Sequence, residues 1–144
     1  MDTLSRQERS VRMSLIRSGD TKPERLLRSA LHRAGFRFRL HDRALPGTPD
    51  IVFPKLRRVV FVHGCFWHSH RCQGPSRRPK TNPRYWLPKL EANKRRDARN
   101  MRRIRSLGWR ALTIWECELR AVDKAVAKAT RFLRRPLLAA TRNR

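Results

Sequence analysis

The apolar positions of this chain follow two spacings, and the switches between them mark its elements. Leu26, Leu27, Ala30, Leu31 and Ala34 recur at three- and four-residue intervals, one stripe of a helix. Thr21-Lys22-Pro23-Glu24 fits a capping box with proline in the first turn, and Gly35 stops the helix. Phe36-Arg37-Phe38-Arg39-Leu40 alternates, as a half-buried strand does. Leu45-Pro46-Gly47-Thr48-Pro49 is a turn. Asp50-Ile51-Val52-Phe53 and Arg58-Val59-Val60-Phe61-Val62 read as two strands of a buried hairpin joined through Pro54. Residues 73–83 carry no strand pattern. A long helix is predicted from about 84 to 106, ending at Gly108. Residues 109–115 form another strand, and Leu119, Val122, Val126, Ala129 and Leu133 share one face of a last helix.

The order α-β-β-β-α-β-α predicts an α/β fold: a single domain over 21–134 with a mixed central sheet flanked by helices. Residues 1–20 are polar and basic, with sparse apolar points at Val11, Met13, Leu15 and Ile16, and read as a short helix or arm. Residues 135–144 form a basic tail. A length of 144 residues agrees with one core.

Charge changes this picture more than composition does. Lys and Arg total 36 against 11 acids, a net charge of +25. Such a surface suits a polyanion, DNA or RNA, and makes 1–20 a candidate DNA-contacting arm. An apolar fraction of 39% still permits a small globular core. No apolar run approaches the roughly 20 residues that span a bilayer, and Met1-Asp2-Thr3-Leu4-Ser5-Arg6-Gln7-Glu8 has no signal-peptide core. The expectation is a cytosolic protein with no membrane partner. Its three cysteines are then reduced, and an odd number does not suit a disulfide framework.

Candidate chemistry concentrates in Val62-His63-Gly64-Cys65-Phe66-Trp67-His68-Ser69-His70-Arg71-Cys72. Thiolates and imidazoles are the usual zinc ligands. Three Cys plus one His fill a tetrahedral site, so Cys65, Cys72, Cys117 and one of His63, His68 or His70 are candidates; spacing alone does not choose the histidine. If the 109–115 strand lies beside the 58–62 strand, the three sulfurs converge at one sheet end. Four protein ligands close a zinc site, which makes it structural. Asp50 opens an otherwise apolar strand, where a carboxylate is costly without a partner, and Mg²⁺ is a natural one. Asp97 falls with Asn93 on the apolar face of the long helix, either in a core ion pair or orienting a catalytic His. Glu24 has a sufficient role as a capping acid. Adjacent Phe66 and Trp67 are not easily buried together, and an exposed pair can wedge between bases.

Together these pieces resemble the very short patch repair endonucleases, the bacterial mismatch-nicking enzymes. The resemblance runs from Ser10-Val11-Arg12-Met13 through Thr21-Lys22-Pro23-Glu24 to Ile114-Trp115-Glu116-Cys117. Its most specific motifs are Gly47-Thr48-Pro49-Asp50-Ile51-Val52-Phe53, His63-Gly64-Cys65-Phe66-Trp67-His68 and Leu107-Gly108-Trp109-Arg110. It implies a restriction-endonuclease-like core with a structural Zn²⁺ and catalytic Mg²⁺. By similarity, Asp50 binds the catalytic metal with the backbone carbonyl of Val62, because Val60-Phe61-Val62-His63 offers no acid-x-Lys element. His68 is the general base or its equivalent, oriented by Asp97, and Glu24 is a further acid near the site. Cys65, His70, Cys72 and Cys117 match the zinc ligands. Met13, Phe66 and Trp67 match the side chains that intercalate beside the mismatch. Ser69 and Arg71 replace part of a longer histidine run, and 73–83 is Pro- and Arg-rich, so loop contacts and sequence context depart from the family pattern.

The implied activity is nicking one strand of duplex DNA 5′ of the thymine in a T:G mismatch left by 5-methylcytosine deamination. The enzyme is expected to act as a monomer, with mismatch-repair proteins and a cytosine methyltransferase as candidate partners. A zinc-stabilised DNA-binding module would keep the charge, zinc and wedge, but would leave Asp50, His68 and Asp97 without a joint role. A restriction-type nuclease for matched sites is the third possibility.

Overall fold

The structure, a computed structural model, describes residues 21–70, 72 and 81–136. The proposed arm with Met13, most of the 73–83 loop and the tail from 137 lie outside the described residues. Helix α1 (Lys22–Arg33) leads to strands β1 (Arg39–Leu40), β2 (Ile51–Phe53) and β3 (Arg58–His63). Helix α2 (Pro83–Ser106), strand β4 (Arg110–Trp115), a 3-10 turn (Glu116–Arg120) and helix α3 (Val122–Arg134) follow.

The four strands form one mixed sheet in the order β1-β2-β3-β4. β1–β2 and β2–β3 are antiparallel; β3–β4 is parallel, with α2 within the crossover that a parallel pair requires. Alternation along the strands divides the core. Ile51, Phe53, Val60 and Ile114 join Leu27 and Leu31 of α1 and Ala125, Ala129 and Leu133 of α3. Val52, Val59 and Phe61 face the other way, onto Ile104 and Met101 of α2. β2 and most of β3 are thus buried on both faces, which is why they read as continuous apolar runs.

Two boundaries differ from the pattern. Of the strand predicted over 36–40, only Arg39–Leu40 pairs, with Val52 and Ile51. Phe36 and Phe38 still point to the core, with ring centroids 6.1 and 5.7 Å from Phe53. Alternation reports the buried face, but a three-residue β2 cannot extend the ladder. The last helix starts at Val122 because Leu119 lies on the preceding 3-10 turn, where it is buried nonetheless. Arg58, at the start of β3, is 1% exposed; its guanidinium donates to the carbonyls of Phe132 and Arg135 at the end of α3. A cation there satisfies orphan carbonyls and the helix dipole.

Candidate active site and metal centres

Asp50 lies where the 42–49 turn enters β2. Gly47 takes φ +78°, and an added Cβ would come within 3.0 Å of the Asn100 side chain, so the turn packs tightly against α2. The Asp50 carboxylate accepts a hydrogen bond from the Val62 backbone N–H at 2.7 Å. Burial pushes its pKa up to about 7; the Val62 bond opposes this shift and the nearby Glu24 adds to it. The charge of His41 opposes the rise as well, but burial outweighs both, the setting in which a carboxylate gains from a bound cation.

Glu24 comes to the same place from the first turn of α1. Only half of the expected capping box forms: Thr21 Oγ1 accepts from the Glu24 N–H at 3.4 Å. The Glu24 side chain turns inward and is 1% exposed. Its Oε2 accepts from Arg28 Nη1 at 2.7 Å, and His41 Nε2 lies 2.9 and 2.8 Å from Oε1 and Oε2. Ligand atoms of Glu24, His41 and Asp50 all lie within 4.8 Å of one another. This donor set fits a divalent cation. His41 carries no periodic signal, since it stands between a strand and a turn and meets Glu24 only in the fold.

The second set comes from the loop after β3 and from α2. His68 Nδ1 lies 2.5 Å from Asp97 Oδ2. The His63 ring stacks on His68, centroids 3.7 Å apart and planes 5° from parallel. Burial, and then the charge of His68, lower the His63 pKa to about 4, so this ring is neutral at pH 7. His63, His68 and Asp97 also have ligand atoms within 4.8 Å. Nitrogen lone pairs lie in the ring planes, however, and two stacked rings cannot aim theirs at one ion. The arrangement is an imidazole–carboxylate pair backed by a neutral ring. Asn93, 6% exposed on the same face of α2, donates to the Trp67 carbonyl at 3.2 Å and ties the loop to the helix.

Asp50, Glu24, His41, His68 and Asp97 line one cleft of about 850 Å³. Arg43, Arg96, Arg99 and Arg103 line it as well, as do Phe66 and Trp67. Those two rings are half-buried and meet Trp86 edge-on, each 5.5 Å from it.

The cysteines gather at the adjacent sheet end. β3 and β4 are parallel with His63 opposite Trp115, so the loop after His63 starts beside the turn holding Cys117. Ligand atoms of Cys65, His70, Cys72 and Cys117 lie within 4.8 Å of one another, so of the three candidate histidines it is His70 that joins the sulfurs. A tetrahedral zinc would set such atoms roughly 3.3–3.8 Å apart, and Cys117 Sγ and His70 Nδ1 are 3.5 Å apart. The set fits one metal ion. Burial pushes the Cys65 thiol up to about 12 and also raises Cys117, so without a cation both sulfurs stay protonated. His70 stacks on Trp115 at 4.0 Å, and Trp115 meets His63 edge-on at 5.4 Å, which links this cluster to the cleft.

A family profile described as DNA mismatch endonuclease Vsr matches residues 1–74. The chain belongs to the Vsr DNA mismatch endonuclease family. It is similar to the DNA mismatch endonuclease Vsr of Escherichia coli K12, 42% identical over 89% of this chain and 81% of that protein. It is also similar to the type II nicking enzyme V.XorIIP of Xanthomonas oryzae pv. oryzae, 48% identical over 92% of this chain and 96% of the relative. The type II nicking enzyme V.NmeAIP of Neisseria meningitidis is 41% identical over 88% and 89%. As a member of the Vsr family, this chain is a DNA endonuclease, a hydrolase of phosphodiester bonds. No helix among the described residues is long and apolar enough to cross a membrane.

Proposed function

We propose that this protein nicks one strand of duplex DNA on the 5′ side of the thymine in a T:G mismatch, as a monomer dependent on Mg²⁺ and stabilised by Zn²⁺. One observation carries the reading: a carboxylate site at Asp50 and an imidazole–carboxylate pair at His68–Asp97 line the same cleft. A mixed sheet with Asp50 entering its central hairpin supports a restriction-endonuclease-like core.

Mg²⁺ at Asp50 would supply polarisation of the scissile phosphate and stabilisation of the leaving oxygen. Asp50 would hold it together with the Val62 carbonyl. The Val62 N–H already faces Asp50, and in a strand the N–H and C=O of one residue share an edge. Asp97 accepts from His68 Nδ1, which leaves Nε2 with the lone pair that takes a proton from water. The stacked His63, neutral at pH 7, restricts the ring without competing for that proton. Glu24 orients the carboxylate side of the site. The cleft arginines hold phosphates and set affinity, whereas mismatch choice rests on Phe66, Trp67 and Met13 prying apart a poorly stacked step. Cys65, His70, Cys72 and Cys117 would hold Zn²⁺ and brace the loop that carries His68.

The test is strand nicking on matched and T:G duplexes, with and without Mg²⁺. Nicking of the T:G duplex alone, 5′ of the thymine and only with Mg²⁺, is expected. Equal cutting of matched duplex would mean a restriction-type nuclease; no cutting under any condition would leave a DNA-binding module. Asp50→Ala should abolish nicking while preserving folding and DNA binding, and wild-type nicking by that variant would overturn the assignment.

A further inference from the structure

Mg²⁺ held by Asp50 and the Val62 carbonyl would have oxygen ligands, but an imidazole, His41, stands beside the same carboxylates. We infer that His41 is a ligand of the cleft cation through Nε2, giving a mixed nitrogen–oxygen site that favours Mn²⁺ over Mg²⁺. The inference rests on the reading that Asp50 holds a cation.

Three observations converge on His41. Its Nε2 is 2.9 and 2.8 Å from the two Glu24 oxygens, and a ring nitrogen lies within 4.8 Å of an Asp50 oxygen. Adjacent ligands of an octahedral ion are roughly 3 Å apart at metal–ligand distances near 2.1 Å, so the imidazole and Glu24 already span one such edge. The backbone of His41 is fixed to the same site, because its N–H donates to the Asp50 carbonyl at 3.1 Å. Finally, His41 holds φ +49°, a left-handed conformation uncommon outside glycine. It is kept there by the turn that delivers Asp50.

A plain ion pair between Glu24 and His41 is the competing account. Glu24 already has a cation, Arg28 Nη1, at 2.7 Å. Pairing therefore does not explain why an imidazole in contact with Glu24 also stands within 4.8 Å of Asp50. Ligation would use the Nε2 lone pair, so the proton now shared with Glu24 would move to Nδ1 or to solvent. The consequence is selectivity. All-oxygen sites suit Mg²⁺, whereas an imidazole donor strengthens binding of transition ions.

The decisive probe is Mn²⁺ itself, added to the full-length protein with its cysteine cluster loaded with metal. Pulsed electron paramagnetic resonance of bound Mn²⁺ should show coupling to one ¹⁴N nucleus, and calorimetry should give Mn²⁺ binding at least about tenfold tighter than Mg²⁺. In His41→Gln, checked for folding by circular dichroism, the ¹⁴N coupling should vanish. The Mn²⁺-to-Mg²⁺ preference should fall about tenfold with it. Bound Mn²⁺ without ¹⁴N coupling would overturn the inference. Coupling that persists in His41→Gln would also overturn it, because another imidazole would then be the donor. Asp50→Asn separates the two levels: undiminished Mn²⁺ binding in that variant would sink the cation reading of Asp50 itself, whatever His41 does.

Discussion

At the scale of single residues, this site is built from groups whose surroundings oppose their ordinary ionisation. Asp50 keeps its proton up to about pH 7 because burial disfavours the charge. A group whose native pKa is raised binds a proton in the folded state that the unfolded chain has already released. The metal-free protein should therefore lose stability as pH rises from about 4 to about 7. On the proposed function, Mg²⁺ would have to displace that proton to bind at Asp50. Lowering the pH from 8 to 6 should then raise the Mg²⁺ concentration for half-maximal nicking about tenfold, as competition with one proton on a group of pKa about 7 requires. Nicking titrated with Mg²⁺ at the two pH values measures this directly; an unchanged midpoint would show that Asp50 is not the titrating ligand. Asp50 was legible in the sequence because an acid opening an apolar strand is costly. His41 was not, since its role depends on meeting Glu24, 17 residues earlier in the chain. The inward turn of Glu24 was hidden from the local pattern for the opposite reason: Thr21-Lys22-Pro23-Glu24 explains itself as a cap, and only the family resemblance pointed the acid toward the site, where the fold turns its carboxylate inward.

Among elements, the β3–β4 pair does most to place the chemistry. Parallel pairing with His63 opposite Trp115 brings two segments some fifty residues apart to one sheet end. The strands and the long helix were legible from periodicity, and so was the meeting of the three cysteines once those strands were placed side by side. Only the family resemblance pointed to His70; spacing left the choice of histidine open, because it treats His68 and His70 alike. They belong to different sites: His68 turns to Asp97, and His70 to Cys117. Substitution should separate them. His68→Ala should stay folded, keep its metal and lose nicking by at least about a hundredfold, the usual contribution of a general base. His70→Ala should lose the metal and much of its thermal stability, and nicking should fall as a consequence. Cys117→Ser should behave like His70→Ala. Metal analysis of protein purified without added zinc, beside melting curves, distinguishes the two classes; the wild type should carry about one Zn²⁺ per chain. Equal metal loss in His68→Ala and His70→Ala would show that the histidines had been assigned to the wrong sites.

Over the whole molecule, a charge of +25 makes affinity for DNA easy and discrimination hard. Arg43, Arg96, Arg99 and Arg103 line the cleft, and they would attract any duplex in proportion to the counterions released. On the proposed function, selectivity would come from a term insensitive to salt, which Phe66 and Trp67 at the cleft would supply. They are not free-standing rings. Each packs edge-on against Trp86, and Asn93 holds the Trp67 carbonyl, so their direction is set by α2 as well as by the metal loop. Replacing both with Ala should therefore destabilise the protein by about 1–3 kcal/mol, less than for two fully buried aromatics. Unstacking a base step costs a few kcal/mol, which the inserted rings must offset. The ratio of T:G to matched nicking should then fall at least about tenfold, equivalent to about 1.4 kcal/mol. Binding to matched DNA, and the slope of that binding against salt, should hardly change, because arginine and lysine carry it. Melting temperature, discrimination ratio and salt slope measured on the same double variant separate packing from wedging. A large loss of stability with the ratio intact would make the pair core residues and place mismatch reading elsewhere in the cleft.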